Sequence, residues 1–296
     1  MKKSSKQLLS DIGLVIAAAI WGSTFFIIKG SLDAIHPLML VSYRFLIAAV
    51  LLFLIVTYQG KQPFHHFKKG LVLGILLWIL YSTQTVGLGI TTASNSGFIT
   101  GLFVIFVPII SYLFFQKKIP AYGIASVIVS LIGLWFLTGG LAGANLGDIL
   151  TLACAVAYST HLLFADMYLN DSKAQIDPYI LNFQQFLVVG ILDFLISVLF
   201  RLPLGFSRIN VAYMLLYLAI FPTVLALILQ FIAQKYTTPL KVTFLISLEP
   251  VFAAVFAWTL GGEAFILSKA IGGILIVGAI FLNSFGEAGL HANHLT

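Results

Sequence analysis

Residues 91–108 read TTASNSGFITGLFVIFVP, and 146 positions later residues 237–254 read TTPLKVTFLISLEPVFAA. Thr91, Thr92, Phe98, Leu102 and Phe106 of the first stretch meet Thr237, Thr238, Phe244, Leu248 and Phe252 of the second. Each opens on two threonines and continues as a long apolar run. A helix that crosses a bilayer needs about 20 mainly apolar residues, because the hydrocarbon core is roughly 30 Å thick. A second correspondence lies at an offset of 136, where Ala17, Ala19, Ser23 and Thr24 meet Ala153, Ala155, Ser159 and Thr160. Matches at equivalent places in both halves point to a duplicated chain.

The same ruler laid along all 296 residues gives ten spans: 12–32, 38–58, 70–90, 95–115, 121–138, 147–167, 178–200, 211–234, 240–260 and 268–285. Composition agrees. Hydrophobic residues make up 60% of the chain and charged residues 9%, against roughly 25% charged in soluble proteins. A soluble fold could not cover its surface with so few charges. Nucleic-acid binding is disfavoured despite a net charge of +6, because the basic residues form no dense patch. Cys154, the one cysteine, excludes an internal disulfide and a cysteine-based metal cluster. Lys2, Lys3 and Lys6 precede a run too long for a signal peptide, so it reads as a retained first helix.

Orientation follows from lysine and arginine in short loops. With the N-terminus in the cytoplasm, Lys2, Lys3, Lys6, Lys61, Lys68, Lys69, Lys117, Lys118, Lys173, Lys235 and Lys241 lie inside, and only Arg201, Arg208 and Lys269 lie outside. Ten spans then return the C-terminus to the cytoplasm. Five helices per half is an odd number, so the second copy enters the membrane from the other side. The expected architecture is an all-α polytopic membrane protein, its ten transmembrane helices arranged as two inverted five-helix repeats over residues 1–140 and 141–296. Inverted repeats accompany alternating access around a site near the midplane.

Five segments carry a family resemblance: GLVIAAAIWGSTFFIIK from Gly13, SYRFLIAA around Arg44, TTASNSGFITGLFVIFVP from Thr91, GDILTLACAVAYST from Gly147, and TTPLKVTFLISLEPVFAAVFAWTLGGE from Thr237. They resemble EamA-type members of the drug/metabolite transporter superfamily over nearly the whole chain. One departure is that Gln116-Lys117 stands where the second half has Gly262-Glu263. The resemblance implies a ten-helix secondary transporter of the cytoplasmic membrane with both termini inside. Its partners would be a small polar metabolite, membrane lipid and, if coupled, protons; no cofactor is implied, and the oligomeric state is not legible.

Ionisable residues within spans are expensive, so each needs an account. Glu249 lies near the middle of the ninth span, followed by Pro250, which removes one backbone donor. It is the leading candidate to bind a cation or carry a proton, although a packing role as a neutral acid is also open. Its repeat-mate is Phe103. Asp193 is a second proton-carrier candidate or a partner for Arg44. Arg44 itself can snorkel or hold a substrate carboxylate. Lys29 and Asp33 stand four apart and are expected to pair. Candidate cavity walls are Trp21, Ser23 and Thr24 in the first span, Trp78, Tyr81 and Gln84 on one face of the third, and Tyr158 and His161 in the sixth. Asn182, Gln185 and Gln230 add hydrogen-bonding capacity. Aromatic faces with Glu249 suit an amine and Arg44 suits a carboxylate, which together suggest a zwitterion such as an amino acid. Pro108, Pro222 and Pro250 predict kinks. Gly97 and Gly101 form a stripe that permits helix packing.

A polytopic enzyme and a passive channel are the alternatives. His161 and Asp166 have a spacing met in acyltransferases, but five helical residues rotate about 140° and separate their faces. No nucleophile elbow, phosphate loop or zinc-protease motif is present. His65 and His66 beside Lys68 and Lys69 read as a solvated basic loop.

Overall fold

The computed structural model describes residues 3–116, 118–140, 145–172, 174, 176–259 and 264–293. Within them are ten apolar helices long enough to cross a membrane: Ser5–Lys29, Pro37–Tyr58, Phe67–Ile90, Asn95–Phe115, Ala121–Thr138, Leu146–Leu169, Pro178–Leu199, Asn210–Gln234, Pro239–Phe256 and Leu267–Gly286. All ten match expected spans, the fourth and fifth at both ends and the others with shifted ends. The first begins earlier and stops at Lys29, where Gly30 caps it. Large side chains such as Leu54, Phe114, Ile128, Leu195, Ile274 and Phe281 face outward, as lipid contact requires. Gly262 and Glu263 lie outside the described residues.

The helix starts repeat along with the sequence. Thr92 and Thr238, 146 apart, each cap a helix by accepting from a backbone N–H, that of Asn95 and of Lys241. The second and seventh spans each begin with proline behind a capping side chain, His36 and Asp177. A capping acceptor satisfies one of the N–H groups that a helix start leaves open, and proline fits the first turn because its missing N–H is one of them.

Packing follows the same symmetry. The second span packs along the seventh and the fifth along the tenth, so each of these meets its own repeat-mate. The first span packs on the eighth and ninth, while the sixth packs on the third and fourth, the equivalent set with the halves exchanged. The fold is therefore two inverted five-helix repeats wrapped around each other. Gly133 and Gly272 let the fifth and tenth spans touch through their backbones: a Cβ on Gly133 would stand 2.8 Å from the Gly272 carbonyl oxygen.

Four spans are interrupted. The first breaks at Ser23, between Lys3–Gly22 and Thr24–Lys29. The fourth breaks at Leu102, between Ala93–Gly101 and Phe103–Phe115, and the ninth at Ser247 and Leu248, between Pro239–Ile246 and Glu249–Thr259. Leu102 and Leu248 are repeat-mates, so these two breaks are equivalent. Pro250 accounts for the second, since it has no N–H for the Ile246 carbonyl. Pro108 leaves no break; its helix runs on to Phe115. The eighth span widens into a π-helix at Ala219–Leu225 around Pro222. There Pro222 cannot donate to the Leu218 carbonyl, and the Thr223 hydroxyl donates to it instead at 2.7 Å.

The expected Lys29–Asp33 pair does not form. Because the helix ends at Lys29, the two are not one turn apart. Lys29 donates to the Leu88 and Thr91 carbonyls at 2.6 and 2.8 Å, and Asp33 pairs with Arg208 at 2.9 Å.

Candidate functional site

The equivalent breaks in the fourth and ninth spans bring Phe103 and Glu249 to the same place, the junction of two cavities. The inner one, about 40 Å³, is lined by Trp21, Thr24, Arg44, Tyr81, Gln84, Tyr158 and Glu249, with Thr100, Phe103, Cys154 and apolar neighbours. The larger one, about 150 Å³, shares Thr100, Phe103 and Glu249. It extends past Phe26, Ala93, Thr138 and Lys269. These sit at the helix ends on the face opposite the N-terminus.

Seven of the residues singled out in the sequence thus converge on one cavity. Arg44 is 2% exposed. Its Nε donates to the Thr223 hydroxyl at 2.5 Å, and its guanidinium lies 4.7 Å from the Tyr81 ring centroid. Its Nη2 has no hydrogen-bond partner among the described residues. Trp21 donates from Nε1 to the Pro222 carbonyl at 2.7 Å. Both therefore hold the π-helical turn of the eighth span, whose extra residue exposes backbone groups that a regular helix would use. Among the described residues no ion pair engages Glu249.

Gly22 decides how close the first span comes to Glu249. A Cβ there would stand 2.6 Å from the Glu249 carbonyl oxygen and 2.9 Å from the Ala253 nitrogen. The repeat-equivalent contact is made by Tyr158 and Phe103, whose rings meet edge to face at 5.0 Å between centroids. One half thus has a glycine against a carboxyl-bearing helix end, and the other has two aromatic rings.

The remaining candidates lie elsewhere. Ser23 is hydrogen-bonded to the Tyr217 hydroxyl and the Ile20 carbonyl, both at 2.6 Å. Asp193 is not a partner for Arg44: it accepts from Trp78 Nε1 at 2.8 Å and from Ser82 at 2.8 and 3.0 Å. Trp78 accordingly does not share the cavity face with Tyr81 and Gln84. It sits roughly 60° and 120° from them around the helix, enough to turn it toward the seventh span. His161 Nε2 meets Gln185 Oε1 at 2.7 Å, and Gln185 Nε2 donates to Asn182 Oδ1 at 2.7 Å. Gln230 is wholly buried. Both glycines of the stripe line the larger cavity, and Gly101 also packs on Leu134.

Sequence reading missed Thr100, Phe103, Cys154 and Thr223. Phe103 was findable as the repeat-mate of Glu249. Thr223 follows a mid-span proline, where a hydroxyl can replace the missing donor. Thr100 and Cys154 carried no signal that set them apart from ordinary packing residues.

Comparison with known proteins adds the following. The profile of the EamA-like transporter family matches residues 8–139 and again residues 145–285. An uncharacterized transporter of Archaeoglobus fulgidus is 34% identical over 279 residues, covering 94% of this chain and 87% of its own. The uncharacterized inner membrane transporter YedA of Escherichia coli K12 is 28% identical, covering 95% of this chain and 93% of its own. A protein crystal structure superposes with a TM-score of 0.78 at 19% identity, covering 97% of this chain and 99% of that one. That likeness speaks to the fold.

Proposed function

The chain belongs to the EamA-like transporter family, a multi-pass membrane transporter, and from that premise we propose that it carries a small zwitterionic metabolite, an amino acid or related amine, by alternating access. One observation carries the reading. Among the described residues Glu249, a carboxyl with no ion-pair partner, and Arg44, a guanidinium with one nitrogen unpartnered, line the same cavity. A carboxylate of the solute would meet Arg44 Nη2 through a charge-assisted hydrogen bond. Its ammonium would meet Glu249 and the aromatic walls formed by Trp21, Tyr81 and Tyr158. In this reading the two halves, residues 1–140 and 141–296, rock around that cavity. Both termini face the cytoplasm, and the membrane is the cytoplasmic one, as the lysine-rich loops on the terminal face support.

Coupling belongs to Glu249, which exchanges a proton when no ammonium occupies the cavity. The test is counterflow in proteoliposomes with an amino-acid and amine panel, with and without a pH gradient. A carrier shows trans-stimulation by one solute class. Conductance without trans-stimulation identifies a channel, and consumption of the solute identifies an enzyme. The Glu249→Gln variant is expected to lose the pH-driven component; if pH-driven uptake is unchanged, Glu249 is not the coupling group. Arg44→Gln is expected to raise the half-saturation concentration of a carboxylate-bearing solute roughly ten- to hundredfold, the loss of one charge-assisted hydrogen bond.

A further inference from the structure

On the terminal-face side of the central cavity, buried polar side chains continue where an apolar seal would be expected. Tyr158 and Leu227 line the cavity, and one turn further along their helices stand His161 and Gln230. Gln234 follows one turn beyond that. The Phe231 ring lies 5.8 Å from the His161 ring, and Gln234 Nε2 donates to the Leu162 carbonyl at 2.9 Å. The sixth and eighth spans are thus packed face to face along this stretch. Asn170, at the end of the sixth span, donates to the Gln234 carbonyl at 3.0 Å, so the stripe reaches the terminal face.

These groups are buried yet incompletely bonded. His161 Nδ1, both amide atoms of Gln230, Gln234 Oε1 and the Tyr158 hydroxyl have no partner among the described residues. His161 and Gln230 are 0% exposed. Gln185 Oε1 accepts from His161 Nε2, because Gln185 Nε2 is spent on Asn182. His161 therefore turns a bare acceptor nitrogen inward at Nδ1. Buried polar groups in proteins are almost always paired, and an unpaired one calls for an absent partner. Here the open positions include both donors and acceptors, in a row and without a formal charge.

We infer that Tyr158, His161, Gln230 and Gln234 form a second polar subsite that hydrogen-bonds a small solute and its water on the way between the central cavity and the terminal face. The inference rests on the alternating-access reading above. Hydroxyl, amide and carboxylate oxygens suit the donors of Gln230 and Tyr158. Ammonium and amide N–H groups suit His161 Nδ1 and Gln234 Oε1. A purely apolar solute gains nothing along this row.

Accessibility tests it. Thr100→Cys, Gln230→Cys and Gln234→Cys are made separately in a Cys154→Ala background and assayed as monodisperse protein in oriented vesicles with a membrane-impermeant methanethiosulfonate. Thiol reactivity depends on access, so both glutamine positions are expected to react about tenfold faster from the terminal face than from the opposite one. Failure of both to react from the terminal face, while Thr100→Cys reacts from both faces, overturns the route and leaves alternation standing. Reaction of Thr100→Cys from the opposite face alone, with both glutamine positions inert, overturns alternation and this inference together. Where a cysteine chain does not fold, hydrogen exchange of the unsubstituted protein decides. Residues 226–234 are expected to exchange faster than residues 80–88, and equal or slower exchange overturns the subsite.

Discussion

The Asp193 carboxyl is wholly buried, and Trp78 and Ser82 of the third span donate to it. An asparagine there keeps one acceptor oxygen, whereas alanine leaves the indole N–H and the serine hydroxyl unpaired. Asp193→Ala is therefore expected to lower stability by about 1–3 kcal/mol, read as a drop in thermal midpoint in detergent, with Asp193→Asn falling between it and the parent. Equal midpoints for parent and alanine variant would contradict this. His36 supplies a pH-dependent case outside the membrane. Its Nδ1 accepts from the Leu38 N–H at 3.3 Å, which needs the neutral ring, and burial lowers its pKa from the ordinary 6.5. The unfolded chain then binds the proton more readily than the folded one. The cap's contribution is present above pH about 6.5 and is lost as pH falls through the lower, folded value. A thermal midpoint that declines more on acidification in the parent than in His36→Asn checks the sign. Depth in the membrane was readable from sequence for both Asp193 and Arg44. Their partners were not, because a side chain's partner is chosen across helices by rotation about axes that spacing does not fix.

At the scale of the helix, Gly22 and the break at Ser247–Leu248 act together: the glycine lets the first span lie against the point where the ninth restarts. Gly22→Ala would drive a methyl into the Glu249 carbonyl and the Ala253 backbone. Overpacking of this kind costs about 1–3 kcal/mol. It also displaces Glu249, so transport is expected to fall more than Gly97→Ala makes it fall, since Gly97 has open space around it. Equal transport in the two variants would show that the close approach is unimportant. Two of the three prolines disrupt their spans as expected, at Pro222 and Pro250. Pro108 does not: it lies inside the continuous helix Phe103–Phe115, at the cost of the backbone bond to the Val104 carbonyl. The π-turn could not be foreseen, since the sequence shows a missing donor at Pro222 but not that Thr223, Trp21 and Arg44 would stabilise a wider turn over a bend.

Across the whole molecule, the terminal face is crossed by ion pairs that link the two halves: Lys61 with Asp177 at 2.6 Å, Lys69 with Asp171 at 2.9 Å, and Lys241 with Asp11 at 2.8 Å. Each is partly exposed and is worth at most about 1 kcal/mol. Their sum still matters for an equilibrium between conformations that differ by a few kcal/mol. Lys61→Asp with Lys69→Asp is expected to increase labelling of Gln230→Cys from the terminal face, and adding Asp177→Lys with Asp171→Lys is expected to reverse that increase. Unchanged labelling would remove these pairs from the closure of that face. The span count and the inverted repeat were legible because hydrocarbon thickness and odd helix number constrain them directly, while the cavity depended on which breaks coincide in space. The exchange symmetry of the packing reaches further than architecture. Two identical inverted halves would give an outward and an inward form of equal free energy, one the two-fold image of the other. Any resting preference must then come from positions where the copies differ, Gly22 against Tyr158, Glu249 against Phe103, and the three ion pairs at the terminal face against Asp33–Arg208 at the other. Evolution of directionality in such a protein is a matter of editing one copy.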